Sequence, residues 1–128
     1  MKDQQVFAMK LAKVYPLLVA KGERKGRTRQ EVDQVICWLT GYDQEGLAQQ
    51  LAKDVDYGTF FRQAPRIHPN YTQIRGVVCG CRVETIEDPL MRQIRCLDKL
   101  VDELSRGRDM DKILNRERKP RDGGNRKE

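Results

Sequence analysis

The clearest hydrophobic pattern in the chain runs from Thr28 to Gly41 and predicts a central helix. Thr28 and Glu31 have the spacing of a capping box, in which each side chain bonds a backbone N–H at the helix start. Apolar residues then recur at i, i+3, i+4 and i+7, which places them on one face of an α-helix. They are Val32, Val35, Ile36 and Leu39. Gly41 suits a left-handed helix end, and we expect Trp38 to be the largest packing side chain of this helix.

The longest predicted helix follows Asp88 and Pro89, which suit the N-cap and the first helical position. Apolar residues then recur in steps of four and three, as in a heptad seam. They are Leu90, Ile94, Leu97, Val101 and Leu104. Leu100 widens this stripe, which favours packing inside a globular bundle over a two-stranded coiled coil. We expect this helix to end near Ser105 and to lie nearly antiparallel to the Thr28 helix at the centre of the fold.

Three shorter helices are predicted in the first half of the chain. One begins within residues 12–15 and ends near Lys25, because Pro16 is tolerated in a first helical turn. The residues before it then form an irregular or extended arm. Asp43 and Asp56 are suitable N-caps for the other two helices. These span about residues 44–53 and 58–63.

The pattern breaks at Pro65 and Pro69, because proline disfavours helix in the residue before it. We therefore predict an extended crossing segment, followed by a helix that begins at Asn70 or Thr72. The apolar residues of this helix would be Ile74, Val77, Val78 and Cys81. A short strand at 77–79 is the alternative interpretation, since its residues are mostly β-branched. A last short helix is predicted near residues 110–114.

Together these elements predict an all-α fold, a single-domain bundle of about five or six helices at mixed crossing angles. The domain covers residues 1–114, because 128 residues leave room for one domain. Residues 115–128 contain no apolar side chain and predict a basic, disordered C-terminal tail. The apolar runs fall far short of the ~20 residues that span a membrane. The N-terminus lacks a secretory signal pattern, so we expect a cytoplasmic protein with no membrane partner.

The net charge of +6 is concentrated near the two ends of the chain. Residues 1–29 carry eight basic and two acidic side chains, and the tail carries six basic and three acidic ones. The candidate phosphate contacts are Lys21, Arg24, Lys25, Arg27 and Arg29. Basic residues at a helix C-terminus also favour the helix dipole without any ligand. A protein that binds single strands is expected to place aromatic residues among its basic ones, and this cluster has none.

The residues with chemical potential do not form a recognisable catalytic or metal-binding motif. His68 is the only histidine, which leaves no histidine dyad, and we expect it on the surface. Cys79 and Cys81 are too close for zinc-knuckle spacing, so we expect free thiols, with a redox role for this pair as the alternative. The sequence contains no nucleophile–base pair, Gly-rich phosphate loop or cofactor motif. We therefore predict no catalytic residue, no cofactor and no metal.

Two blocks of residues carry a family resemblance. The first comprises residues 26–28, 31–33 and 36–42, and the second comprises residues 76–80, 82–84, 86–91, 94–95 and 97–100. Tyr15–Pro16 and the stretch from Phe60 to Pro65 also match in order. In these motifs the chain resembles a bacterial family known as domain of unknown function 2200, over roughly Phe7 to Leu114. The resemblance implies a small, cytoplasmic, mainly helical protein with no assigned activity, and it does not imply a Cys79–Cys81 redox pair.

Polar residues within these blocks form a candidate binding surface. They are Tyr42, Asp43, Arg82, Glu84, Glu87 and Asp88. Three of the carboxylates are close enough in sequence to suggest an acid–base pair or a divalent-ion site. However, Asp88 has a capping role, and Arg82 or Arg92 can pair with the others, so we favour structural roles for them.

Three hypotheses for function follow from the sequence. The first is a non-catalytic protein-interaction domain, and one form of it is a homodimer that uses part of the apolar stripe of the Asp88 helix. The second is a nucleic-acid-associated protein that binds phosphates through its basic N-terminal turn and tail. The third is a small-ligand binder or an enzyme of unknown class, which would require a deep pocket with converging polar groups.

Overall fold

The computed structural model describes residues 3–78 and 80–114, and it confirms the all-α fold. The described residues form seven α-helices, rather than the five or six predicted, together with two 3₁₀-helices and one small hairpin. The α-helices are α1 (Asp3–Phe7), α2 (Leu11–Glu23), α3 (Arg29–Thr40), α4 (Gln44–Ala52), α5 (Tyr57–Arg62), α6 (Pro89–Ser105) and α7 (Met110–Leu114). The 3₁₀-helices are Pro69–Gln73 and Val83–Thr85, and the antiparallel strands are β1 (Val77–Val78) and β2 (Cys81–Arg82). The predicted tail and Cys79 lie outside the described residues.

The helices α3, α4, α5 and α6 start close to where the sequence predicted them, because the N-cap side chain of each accepts a backbone N–H. Thr28 Oγ1 accepts from the Glu31 N–H at 3.1 Å, and Glu31 Oε1 accepts from the Thr28 N–H at 2.9 Å. Asp88 Oδ2 accepts from the Met91 N–H at 2.9 Å at the start of α6. Asp43 and Asp56 cap α4 and α5 in the same way. Such caps contribute ~1 kcal/mol each to stability.

The core is centred on α6. Its apolar stripe is buried almost completely by α2, α3, α5, α7, β1 and the 3₁₀-helix Val83–Thr85. The buried members are Ile94, Leu97, Leu100, Val101 and Leu104. The predicted contact between α3 and α6 is present, and α6 packs even more extensively against α2. Trp38, the largest side chain of α3, is half-buried and packs against the edge of the core, while Phe60 of α5 is the largest fully buried side chain of the described residues.

The N-terminal region is more helical than predicted. The expected irregular arm contains α1, whose Val6 is buried and whose Phe7 packs against α5. The helix α2 begins at Leu11, so Pro16 lies beyond its first turn and removes one backbone hydrogen bond. Leu11 and Val14 before the proline and Leu18 after it are all buried. This continuous buried face explains why the helix continues through Pro16.

The predicted helix between Thr72 and Cys81 is wrong, and the alternative of a short strand is confirmed. After the 3₁₀-helix Pro69–Gln73, Val77 pairs with Arg82 and Val78 pairs with Cys81. Gly76 and Gly80 have φ angles of +117° and +78°, which lie outside the helical region. The partner of β1 is β2, the next two-residue segment, which is too short to show an alternating pattern in the sequence.

A close backbone approach ends α3. Gly41 has a φ of +83°, and a Cβ on it would lie 2.7 Å from both the backbone N and the backbone O of Arg66. The crossing segment is held against α3 by the Arg66 and His68 N–H groups. They donate to the carbonyls of Thr40 and Leu39 at 3.1 and 2.8 Å, respectively. The last turn of α3 therefore binds the crossing segment through its free carbonyls.

We predict that Gly41→Ala lowers the free energy of unfolding by at least ~2 kcal/mol, because it adds a steric clash to the left-handed strain. Gly107→Ala is the matched control, since Gly107 has a φ of +89° and open space around the new methyl group. Urea unfolding of both variants measures the difference. Equal losses in the two variants would show that the contact with Arg66 has no energetic importance.

Candidate functional site

One concave feature of the described residues is a groove between α2 and α6, which we call the α2–α6 groove. It has a volume of about 470 Å³, and residues of α1 and α5 complete its walls. Its buried lining is apolar, and consists of Val6, Val14, Leu18, Tyr57 and Ile94. Leu17 lies at its edge with 64% of its surface exposed, which makes it the most exposed large apolar side chain in the described part of the chain.

The polar side chains of the groove come from both of its main helices. Arg95 Nη1 donates to Asp98 Oδ2 at 3.1 Å, and Lys21 Nζ lies 3.3 Å from Asp102 Oδ1. Burial raises the pKa of the Asp98 carboxyl, and the charge of Arg95 opposes that rise. Because Arg95 and Lys21 are already paired with acidic groups, the groove favours apolar ligands over small anions.

A second depression of about 460 Å³ lies near β2 and the start of α6. It brings Glu87 and Asp88 together with Cys81, Asp3 and Arg95. Within the residues that the structure describes, no group of three or more His, Cys, Asp or Glu side chains is arranged to hold a metal ion. The carboxylates of this depression therefore do not form a metal site in the described chain.

The six residues of the predicted binding surface do not converge. Tyr42 is buried, so its expected exposure is wrong: its hydroxyl donates to the Phe60 carbonyl at 2.7 Å. Its ring also stacks on Phe60 with centroids 4.6 Å apart, and burial raises its pKa. Asp43 is exposed but caps α4, where its Oδ1 accepts from the Gly46 N–H at 2.7 Å.

The remaining four residues lie near the hairpin. Glu84 Oε1 accepts from the Gly76 N–H at 2.9 Å, and Arg82 Nε lies 3.4 Å from Glu84 Oε2. The bond from Gly76 lowers the pKa of Glu84. Asp88 caps α6, and Glu87 makes no hydrogen bond or ion pair with any described residue. These contacts stabilise the hairpin and the start of α6, which agrees with the structural roles that we favoured for these residues.

The basic N-terminal cluster is divided among separate structural contacts. Arg27 Nη1 donates to the carbonyls of Leu104 and Arg108 at 3.3 and 2.9 Å, where α6 ends. Arg27 Nη2 also pairs with Glu31 Oε2 at 2.9 Å. The other candidates are arranged differently: Lys21 pairs with Asp102, Arg29 Nε donates to the Tyr15 hydroxyl, and Arg24 and Lys25 are exposed. The structure therefore does not assemble these five residues into one phosphate site.

One buried polar contact was missed by the sequence analysis. The Tyr15 hydroxyl donates to Asp33 Oδ1 at 2.6 Å and joins α2 to α3. Burial and this hydrogen bond raise the pKa of Tyr15 to about 12. Asp33 is 4% exposed, and its neighbour Arg29 lies 3.8 Å away. The available signal was an acidic residue beside the buried face of a predicted helix, since buried carboxylates need partners.

The described cysteines behave as predicted for free thiols. Cys96 is buried, Cys37 is half-buried and Cys81 is exposed, and all three are unbridged. Burial raises the pKa of Cys37, and the charges of Asp33 and Asp43 add to the rise. The neutral thiol of Cys37 is therefore favoured. Cys79 lies outside the described residues, so the redox role for Cys79 and Cys81 stays a prediction.

Comparisons with known proteins agree with the motif blocks. Residues 5–115 match the family described as "Uncharacterized protein conserved in bacteria (DUF2200)". The chain belongs to the DUF2200 family. A solved structure, "Crystal structure of uncharacterized protein SP1917", is 48% identical to it and has a TM-score of 0.84. The match covers 89% of this DUF2200 chain and 93% of that chain. The search of curated proteins found no match.

The motif blocks of this DUF2200 chain include several contacts that join its elements. Arg27 binds the end of α6, Asp33 accepts from Tyr15, and Gly41 admits the crossing segment. Trp38 stacks on His68 of that segment, with ring centroids 4.0 Å apart and an interplanar angle of 17°. His68 is consequently half-buried, and it packs more closely than the predicted surface position implied.

We predict that Arg27→Gln lowers the free energy of unfolding by about 1.5–3 kcal/mol, because charged hydrogen bonds at the end of α6 are lost. Arg24→Gln is the control, since Arg24 is exposed and makes no side-chain hydrogen bond or ion pair with a described residue. It should change stability by less than ~0.5 kcal/mol. Urea unfolding measures both variants. A similar small effect in both would contradict the structural role of Arg27.

We predict that the fluorescence of Trp38 reports the protonation of His68. Burial lowers the pKa of His68, and the charge of Arg66 adds to this effect. The transition should therefore have a midpoint below ~6.5, the ordinary value for histidine. Emission should fall as the pH decreases, because a stacked imidazolium quenches indole fluorescence.

The lowered pKa of His68 also predicts how the stability of the protein depends on pH. The folded state disfavours imidazolium, so the contribution of His68 to stability is complete above the unfolded pKa of ~6.5 and decreases as the pH falls toward the folded pKa. His68→Gln should remove the fluorescence transition. A midpoint above 6.5, or an unchanged transition in the variant, would contradict this assignment.

Proposed function

We propose that this protein is a non-catalytic protein-interaction domain, and that its α2–α6 groove binds an amphipathic, acidic segment of another protein. The observation that carries this proposal is the exposed Leu17 beside a buried apolar lining. An amphipathic helix that binds in a groove inserts apolar side chains at such positions.

The charges around Leu17 select the kind of partner. Lys13 and Lys21 are four residues before and after Leu17, so the three side chains follow one row of α2. Arg24 follows Ala20 by four residues and extends the same side of the helix. Neither Lys13 nor Arg24 forms an ion pair with a described residue. Carboxylates on the partner would complement these cations, which increases the association rate and favours acidic partners.

A homodimer is less well supported as the occupant. The apolar stripe of α6, which the sequence analysis offered as a dimer interface, is mostly buried within the chain. Antiparallel pairing of two α2 helices centred on Leu17 would place Lys13 of one copy against Lys21 of the other. This like-charge contact disfavours pairing through that face.

The other hypotheses have less support. Three of the five candidate phosphate residues, Lys21, Arg27 and Arg29, already contact other groups of the chain. A small-ligand site requires polar groups that converge without being paired, whereas those of the groove are paired. The three described thiols are unbridged, which agrees with our proposal of a cytoplasmic location.

Site-specific photo-crosslinking in bacterial cells tests this proposal. A photoreactive amino acid replaces Leu17 in the full chain, and the crosslinked segment is identified by mass spectrometry. Val77 is the matched control position, because it is the other exposed large apolar residue of the described chain and is 51% exposed. We expect position 17 alone to crosslink to an amphipathic, acidic segment of a different protein.

Charge reversal by Lys13→Glu and Arg24→Glu should reduce this crosslinking several-fold, while Glu45→Lys on the exposed side of α4 should leave it unchanged. Crosslinks that are equal at positions 17 and 77, or that do not respond to the reversal, would contradict the proposal. If crosslinks form only between two copies of this chain, the groove binds a second copy, and the proposal of a different partner protein is wrong.

A further inference from the structure

The crossing segment and its neighbours have an unusual charge composition. Residues 57–83 contain four arginines and no aspartate or glutamate. Two of these arginines have local structural contacts: Arg62 lies over the Phe7 ring at 5.7 Å, and Arg82 pairs with Glu84 at 3.4 Å. Arg66 and Arg75 are exposed and form no ion pair with a described residue. The segment thus presents two cations that the described structure does not neutralise by an ion pair.

Half-buried aromatic rings lie along the same segment. Trp38 stacks on His68, and the Arg92 guanidinium lies 5.7 Å from the centre of the Tyr71 ring. His68 caps the 3₁₀-helix that contains Tyr71, and its Nδ1 accepts from the Asn70 N–H at 3.0 Å. The Tyr71 N–H donates to the His68 carbonyl at 3.0 Å, so the two residues are joined within one turn.

Arg66 and Arg75 lie close in sequence to these rings. Arg66 is two residues before His68, and its charge contributes to the lowered pKa of that imidazole. Arg75 is four residues after Tyr71, just beyond the end of the 3₁₀-helix. We call Trp38, Arg66, His68, Tyr71, Arg75 and Arg92 the arginine–aromatic face. It combines half-buried rings with two exposed arginines.

We propose that the arginine–aromatic face binds single-stranded nucleic acid, with bases stacked on the exposed parts of its rings and phosphates bound by Arg66 and Arg75. Aromatic rings interleaved with basic side chains are the arrangement that binds single strands without strong sequence preference. An acidic peptide would use the cations but would gain little from the planar rings. This site is separate from the α2–α6 groove, and the proposal does not depend on the function of that groove.

Fluorescence titration of the full chain tests this proposal, because Trp38 is the only tryptophan and belongs to the face. The probes are oligo-dT and oligo-U of about 12 nucleotides, a length within the usual site size. We expect saturable quenching that weakens with salt. Two phosphate contacts would give a slope of about −1.4 in log K against log salt. Tighter binding of one probe would identify DNA or RNA as the ligand.

Two double variants with equal loss of charge separate this face from general basicity. Arg66→Gln with Arg75→Gln should weaken binding about tenfold or more and bring the salt slope close to zero, since two phosphate contacts are lost. Arg24→Gln with Lys25→Gln, in the N-terminal turn, should leave the affinity and the salt slope nearly unchanged. Tyr71→Leu should weaken binding roughly tenfold while keeping the salt slope, because it removes a stacking ring.

The opposite results would overturn the proposal. Absence of binding to both probes at about 50 mM salt would do so, since electrostatic binding is strong at low salt. Equal weakening of binding in the two double variants would also overturn it, because binding would then depend on the net charge and not on the position of the arginines. The arginine variants change exposed side chains, so their thermal unfolding should match that of the unmodified protein.

Discussion

The burial of α6 is the constraint on which the rest of the structure depends. A 17-residue helix with a broad apolar stripe cannot be covered by one neighbour, so α2, α3, α5 and α7 surround it. Its two ends are fixed by polar groups, the Asp88 carboxylate at the start and the Arg27 guanidinium at the end. Several residues of the motif blocks therefore act at helix ends, where backbone groups lack partners within the helix.

Features that depend on a few neighbouring residues could be predicted from the sequence. The caps at Thr28, Asp43, Asp56 and Asp88 are examples, because each side chain bonds a backbone N–H within three residues. The hairpin at β1 and β2 was wrongly predicted as a helix, since its apolar spacing fits both structures and the positive φ angles of Gly76 and Gly80 decide between them. Glycine permits those angles but does not require them.

The site was harder to predict because it depends on distant parts of the chain. Leu17 and Leu18 are adjacent and chemically identical, yet the first is 64% exposed and the second is 7% exposed. The i, i+3, i+7 spacing of Leu11, Val14 and Leu18 assigns Leu18 to the apolar face of α2, but only the packed structure shows that Leu17 borders a groove. Tyr42 was assigned to the surface because its hydroxyl is polar, whereas the Phe60 carbonyl satisfies that hydroxyl inside the core. A polar atom with an internal partner has little reason to face solvent.

The two proposed binding surfaces share α6 as a wall but use different sides of it. Arg95 and Asp98 line the α2–α6 groove, whereas Arg92 contacts Tyr71 and the Cys96 thiol lies 3.6 Å from the Tyr71 carbonyl. At 100° per residue, the mean direction of Arg95 and Asp98 is roughly a quarter to a third of a turn from that of Arg92 and Cys96. A partner in the groove would therefore leave the arginine–aromatic face accessible. Because α6 is held by the core between the two surfaces, occupancy of both would join a protein and a nucleic acid through one rigid element.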